Sequence, residues 1–455
     1  MAMVTGGAVK SRRRVLMLIA GKRVLNSKDS RAVCLLLIAL RLPAQMSGVS
    51  AVAKIIEHEA HLGDLSAAGL RKTPLNAVHR TMGARMVDFG GWDMPVEYPS
   101  FGGLVAEHKA VRTGVGVFDV SHMGDLRICA KHVSKAALRA VEHITMNEVS
   151  RLAVGQAQYS AMLYPQGTFV DDVIVHRLED DDFLLVINAG TREKDLGWVL
   201  ESTNGFDCTV VDLSDAYTQL AIQGPRAIDV MRKLTVSNLD RLKSYGCTHG
   251  RVCGLDTTLI ARTGYTGEDG FEIYLPSDSK TSEEVWDKVL DAGREFGIVP
   301  CGLGARNTLR LEARLSLYGH EIGQDINVWE AGLGRFCKLD KGDFVGRDAL
   351  IRARAAGLKR ALVGLEMVER GIARDGYRCL DEAGQAVGIV TSGSPSPTLG
   401  KNIALAFVPP EMAGIGSPLY VEVRGQRVKA RVVPTPFYKR PAQSQFASAV
   451  LRDRT

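Results

Sequence analysis

Long apolar runs are missing from this 455-residue chain. The longest, Ala32 to Leu40, is about nine residues, and a membrane-spanning helix needs about twenty. Cysteine is sparse: eight residues are scattered with no C-x-x-C and no histidine at zinc spacing. That excludes a disulfide framework and leaves structural thiols as the expectation. His58 and His61 have no matching acidic or cysteine ligands downstream, so no metal is expected. A strand followed by G-x-G-x-x-G and a helix is also missing, which removes the usual signal for flavin or nicotinamide. Acidic residues are almost absent from residues 1–56, where ten Lys or Arg face the single Asp29. The formal net charge of +6 therefore misleads, because the rest of the chain holds 47 basic against 50 acidic residues. With the basic segment set aside, this is not the composition of a nucleic-acid binder.

What is present begins with that segment. It is Arg/Lys-rich, acid-poor and dotted with Ser and apolar residues, which fits an organellar transit peptide and disordered leader over residues 1–66. A secretory signal fits less well, since basic residues recur through the segment. A disordered tail or an upstream translation artefact is the bland alternative. The remaining length suffices for two or three domains.

The stretch Tyr159–Gly190, YSAMLYPQGTFVDDVIVHRLEDDDFLLVINAG, reads as three strands joined at Pro165-Gln166-Gly167 and at Asp180-Asp181-Asp182. Asp171 and Asp172 stand inside the middle strand, where a carboxylate is poorly accommodated. Alternation should send the pair to opposite faces. One carboxylate then lies at a buried face, either capping the strand or held for chemistry, and the spacing does not choose between these.

Around this unit, helices are expected at Gly103–Arg112, with Leu104, Val105, His108 and Val111 in one stripe, and at Val133–His143 with Ser134 as a cap. A further helix is expected at Thr191–Glu201. A strand YTQLAIQG precedes a helix after Pro225. In RTGYTGEDGFEIYLP, Gly264, Gly267 and Gly270 recur every third residue, which suits a tight backbone path. Helices follow at Ser282–Glu295 and from Gly302, the second ending by Gly319. Arg352–Lys359, basic and Ala-rich, reads as a linker. Beyond it, short strands with Gly/Pro turns, including a hairpin turned at Gly425-Gln426, suggest a small barrel or jelly roll.

The motifs MVDFGGWDMPVEY, GVFDVSHMGDL, FVDDVIVHR, INAGTREKD, LAIQGPRA, TGYTGEDGFEIYLP, GLGARNTLRLEA, LYGHEI, TSGSPSPTLGKNIALAFV and PFYKR together resemble the aminomethyltransferase (T-protein) family of the glycine cleavage system. They run in order from about Thr73 to Arg440. The resemblance implies an α+β, three-domain folate-binding fold with a C-terminal barrel, divided here as a catalytic region over 67–350 and a barrel over 355–440. It implies transfer of the methylene carbon of the aminomethyl group on dihydrolipoyl H-protein to tetrahydrofolate. Ammonia is released and 5,10-methylenetetrahydrofolate forms. The partners implied are H-protein and folate, with no nucleic acid, membrane, metal, flavin or nicotinamide, and the location implied is the mitochondrial matrix.

The family pattern carries roles onto single residues. Asp172 matches the catalytic aspartate, and Glu272 the carboxylate facing the pterin edge, where it accepts two parallel N–H bonds. Tyr159 and Tyr265 match the tyrosines flanking the folate. Met123 and Asn188 are further folate-site matches. Arg306 and Arg440 match arginines for the anionic glutamate tail. Arg306 also lies near a helix start, where the dipole disfavours a cation and an external anion would relieve it. Two readings from other classes stand beside this one. A folate module of a sarcosine- or dimethylglycine-dehydrogenase-like enzyme lacks support, because no N-terminal flavin unit is present. A folate-binding scaffold of the iron–sulfur assembly type lacks its K-G-C-Y-x-G-Q-E motif, and GRFCKLDKGDF around Cys337 does not resemble it.

Overall fold

Two larger sheets, a closed barrel and a two-stranded ribbon organise the described residues, 69–441, of a computed structural model. The leader reading lies outside the described residues. In chain order the strands are β1 (Arg85–Phe89), β2 (Trp92–Glu97), β3 (Gly116–Asp119), β4 (Gly124–Ala130), β5 (Gln156–Leu163), β6 (Phe169–Glu179), β7 (Asp182–Ile187), β8 (Cys208–Asp212), β9 (Tyr217–Gln223), β10 (Cys247–Val252), β11 (Leu255–Ala261), β12 (Gly270–Pro276) and β13 (Val299–Pro300). The C-terminal strands are β14 (Ala361–Met367), β15 (Arg378–Leu380), β16 (Ala386–Ser396), β17 (Lys401–Val408), β18 (Pro418–Val423) and β19 (Gln426–Val433). The helices are α1 (Asn76–Thr81), α2 (Gly103–Thr113), α3 (Ala136–Ile144), α4 (Arg192–Ser202), α5 (Ala227–Leu234), α6 (Ser279–Gly293), α7 (Leu303–Glu312) and α8 (Arg347–Ala356).

The first larger sheet has the order β5-β6-β7-β4-β8, the second β10-β11-β12-β9-β3-β13, β14-β17-β16-β15-β18-β19 close into a barrel, and β1 and β2 pair as an antiparallel ribbon. The α+β class and the terminal barrel expected from the sequence are both present. Each sheet covers its own core. Val173 and Val175 of β6 pack with Ala137, Ala140, Val141 and Ile144 of α3. Ile222 of β9 and Phe271 and Ile273 of β12 pack on Val285, Trp286 and Val289 of α6. The other faces of the two sheets meet through Leu178 and Leu184 on one side and Leu259 and Tyr274 on the other. No helix among the described residues is long and apolar enough to cross a membrane.

The barrel is fastened to the catalytic body by buried ions. Glu312, at the end of α7, accepts from Arg112 of α2 and from Ser396 and Thr398 at the end of β16. Arg310 pairs with Glu321 at 2.8 Å and donates to Ser392 of β16. All of these side chains are buried except Thr398.

Several local expectations are corrected. The stretch read as a linker at Arg352–Lys359 is instead the second half of α8, up to Ala356; its Ala and Arg are good helix formers. Ser134 does not cap α3, whose first turn is held by Asp181 through the Leu138 N–H. Val105 lies off the buried stripe of α2 and is half exposed, while His108 and Val111 are buried. The last hairpin turns at Arg424-Gly425, both with positive φ, one residue earlier than expected.

Candidate active site

The site is built on β6. Its pairing with β5 runs Met162↔Asp171 and then Leu163↔Phe169, so Val170 is an extra residue in the strand. Such a bulge re-aims the residues that follow it. Past it, Asp172 and Ile174 share a face. Tyr159 lies opposite Ile174, and Asn188 continues the same face beyond β7. The Tyr159 hydroxyl donates to Asp172 Oδ2 at 3.1 Å, and Asn188 Nδ2 donates to Asp172 Oδ1 at 2.8 Å.

Asp171 is fully buried and serves the backbone. It accepts from the Asn188 N–H, the Thr191 hydroxyl, Asn188 Nδ2 and the Asp172 N–H, at 2.7–3.0 Å. It therefore fixes the turn that leads into α4. The expected separation of the two aspartates is incomplete, because Asn188 Nδ2 bridges both carboxylates. Burial, and then the charge of Asp171, push the Asp172 carboxyl up to about 7, against the hydrogen bonds from Asn188 and Tyr159. A carboxylate poised near neutrality is what a general base at physiological pH requires.

A second wall comes from β12 and the glycine loop before it. A Cβ on Gly264 would come within 1.9 Å of Gln223 Oε1, and Gly267 has φ +80°. Only glycine lets this loop lie flat on Gln223 and turn back. The loop presents Tyr265, whose hydroxyl donates to the Ser316 carbonyl. Glu272 on β12 is half-buried and accepts from the Thr263 hydroxyl. Burial raises its pKa, opposed by Thr263 and Arg306.

Arg306 rises from α7 into this space. Its guanidinium stacks on the Tyr265 ring at 5.1 Å, reaches His122 Nε2 at 3.1 Å, and lies 3.8 Å from Met123 Sδ. No carboxylate lies within ion-pair distance of it among the described residues. Burial lowers its pKa, and the charges of Tyr265, Glu272 and Asp172 oppose that. Seven of the eight residues expected at the site fall in two neighbouring clusters, Asp172, Tyr159 and Asn188 joined by hydrogen bonds and Arg306, Tyr265 and Met123 in contact, with Glu272 and Asp172 acting on Arg306 by charge. Arg440 stands apart. It is half exposed and sits 3.8 Å from Asp269, which pairs with Arg262. His122, Thr191 and Thr263 also belong to the site, and sequence reasoning missed them. The one signal for His122 in the sequence is a lone histidine beside Met123 in the motif GVFDVSHMGDL.

The GCVT N-terminal domain family matches residues 75–341, more than half of the chain. The chain belongs to the glycine cleavage T-protein family. The glycine cleavage T-protein C-terminal barrel domain matches residues 360–439, over β14 to β19. An aminomethyltransferase of Acidobacterium capsulatum is 66% identical over 375 residues, 82% of this chain and 97% of that protein. One of Koribacter versatilis is 63% identical over 83% of this chain and 98% of its own length. The crystal structure of the glycine cleavage system aminomethyltransferase T from Bartonella henselae superposes with a TM-score of 0.76 at 32% identity, covering 82% of this chain and 99% of that one. As a T-protein family member, the chain is an aminomethyltransferase, and the iron–sulfur scaffold reading is not favoured.

Proposed function

We propose that this protein transfers the methylene carbon of an aminomethyl group on a dihydrolipoyl arm of H-protein to tetrahydrofolate, releasing ammonia. The observation that carries the reading is the juxtaposition of a near-neutral carboxyl, Asp172, with an unpaired guanidinium, Arg306, across two tyrosines. Folate has matching parts: a pterin rich in N–H donors, an aromatic middle and an anionic tail. Glu272 suits the pterin edge as a carboxylate with no ion-pair partner among the described residues. Tyr159 and Tyr265 suit the aromatic middle. Arg306 suits a tail carboxylate, and Arg440 is a rim candidate for the same tail.

The reaction moves carbon at one oxidation level. Bonds from carbon to sulfur and to the amine break, and bonds to two folate nitrogens form. The two protons lost from those nitrogens end on the thiol and on ammonia. Asp172 accepts a proton from the attacking nitrogen, and Tyr159 and Asn188 hold its two oxygens in place. No serine or cysteine stands in the group among the described residues, in keeping with direct transfer. The mitochondrial location rests on the composition of the leader alone.

Equilibrium binding tests the pocket. The full chain should bind tetrahydrofolate, and Glu272→Gln, which exchanges one acceptor oxygen for a donor, should weaken it by about ten- to a hundredfold. Unchanged affinity in Glu272→Gln would remove the pterin assignment, and no binding by the wild type would remove the function.

A further inference from the structure

Arg306 is half-buried and is held in an unusual way for an arginine lining a site. Such guanidinium groups are ordinarily matched by a carboxylate. Here the polar neighbour is His122, on the turn between β3 and β4. The imidazole is fully buried and packs edge-on against Phe89 with ring centres 5.7 Å apart. Its Nε2 lies 3.1 Å from Arg306 Nη1. A guanidinium has five donors and no acceptor, so Nε2 must accept with its lone pair and the ring hydrogen must sit on Nδ1. That nitrogen is buried and has no hydrogen-bond partner among the described residues. An unpaired buried donor is costly, and the fold tolerates it to give Arg306 a neutral acceptor.

The electrostatics agree. Burial, and then the nearby charges of Arg306 and Arg192, push the His122 imidazole down to about 3, against the pull of Asp119. The ring is uncharged under physiological conditions. Met123 Sδ and the Tyr265 face, which also touch the guanidinium, are uncharged, and Glu272 and Asp172 act on it only from beyond ion-pair distance.

We infer that His122 is a positioning residue: its neutral imidazole aims the Arg306 guanidinium at the anionic glutamyl tail of the folate without tying it up in a direct ion pair. This rests on the folate reading and adds to it a reason why no carboxylate occupies this place. A carboxylate at the same reach would fix the arginine equally well but would form an internal ion pair competing with the ligand. The discriminating element is the sign of charge beside Arg306, not the presence of a hydrogen bond.

Two isosteric substitutions separate these effects. Gln and Glu both reach the place of Nε2 with an oxygen acceptor, and only Glu brings a charge. The full chain is titrated by calorimetry with tetrahydrofolate and with tetrahydropteroate, which lacks the glutamate, and thermal melts confirm folding of each variant. Wild type should prefer tetrahydrofolate by about tenfold or more. His122→Glu should reduce that preference to about twofold or less, leaving tetrahydropteroate binding in place, and His122→Gln should restore most of the preference. Preference retained in His122→Glu would overturn the inference, as would equal weakening of both ligands, which marks a merely structural role. Loss in His122→Gln as complete as in His122→Glu would overturn it too. Wild type that binds neither ligand would overturn the folate reading itself.

Discussion

Asp171 and Asp172 are adjacent and chemically identical, so replacing each by Asn isolates what position does. Asp172→Asn keeps shape and the Tyr159 hydrogen bond but removes the proton acceptor. Turnover at saturating folate should fall by about a hundred- to ten-thousand-fold, the range for a lost general base. In the wild type the carboxyl is pushed up to about 7, so the active base form is about nine-tenths populated one pH unit above that value and about one-tenth one unit below. Activity therefore rises with pH through neutrality. The same displacement works against the fold. A carboxyl whose folded pKa lies above its unfolded value of 3.8 contributes stability below that value and loses it as pH rises through about 7. Asp172→Asn should thus melt higher than wild type at about pH 8, by about 2–4 °C. Asp171→Asn breaks a set of four accepted hydrogen bonds around the Asn188–Thr191 turn. It should cost on the order of 1–3 kcal/mol of stability. Because the Asp171 charge helps raise Asp172, its removal should also move the acidic limb of the rate profile to lower pH. The measurements are turnover against pH and thermal melts for both variants. An acidic limb that stays near 7 in Asp171→Asn would refute the electrostatic argument. Full activity in Asp172→Asn would refute the general base.

Arg306→Ala should raise the Michaelis constant for tetrahydrofolate with little change in turnover, and the effect should grow with the number of glutamates on the tail. Equal affinity at every tail length would refute the tail assignment. Glu312 is fully buried, and although burial raises its pKa, the His108 hydrogen bond and charge and the Ser396 and Thr398 hydroxyls outweigh it and hold it at about 2, below the ordinary 4.5. It contributes stability above about pH 4.5 that is lost as pH falls toward 2, on the order of 3 kcal/mol. Urea unfolding of wild type and Glu312→Gln should therefore converge in acid, and a constant gap down to about pH 2 would refute this linkage. The leader reading expects a mature chain beginning between about Ser47 and Leu70, and N-terminal sequencing that finds Met1 would contradict it.

The parts of this architecture written in local chemistry were legible. The three strands across residues 156–187 are marked by Pro-Gln-Gly and by a run of aspartates, and the glycine loop before β12 by its spacing. Helix α8 carries one buried residue, Leu350, on a surface of Arg and Ala, so no apolar stripe distinguishes it from a linker in the sequence. Strand β15 has three residues, too few to show alternation. The site itself is assembled across long separations: Asn188 meets Asp172 over 16 residues, Arg306 meets His122 over 184, and Glu312 meets Ser396 over 84. No periodicity reports such contacts. Resemblance to a family located Asp172, Glu272 and Arg306, and only the fold shows the bulge at Val170 beside Asp172 and the His122 contact to Arg306.

The account is tested most directly by a single turnover with aminomethyl-loaded H-protein, following ammonia and 5,10-methylenetetrahydrofolate together. It predicts that wild type releases ammonia rapidly only when tetrahydrofolate is present, one equivalent for each methylenetetrahydrofolate formed, and that Asp172→Asn suppresses both products in parallel. Ammonia released at the same rate without folate, or folate bound with no methylene transferred, would contradict it.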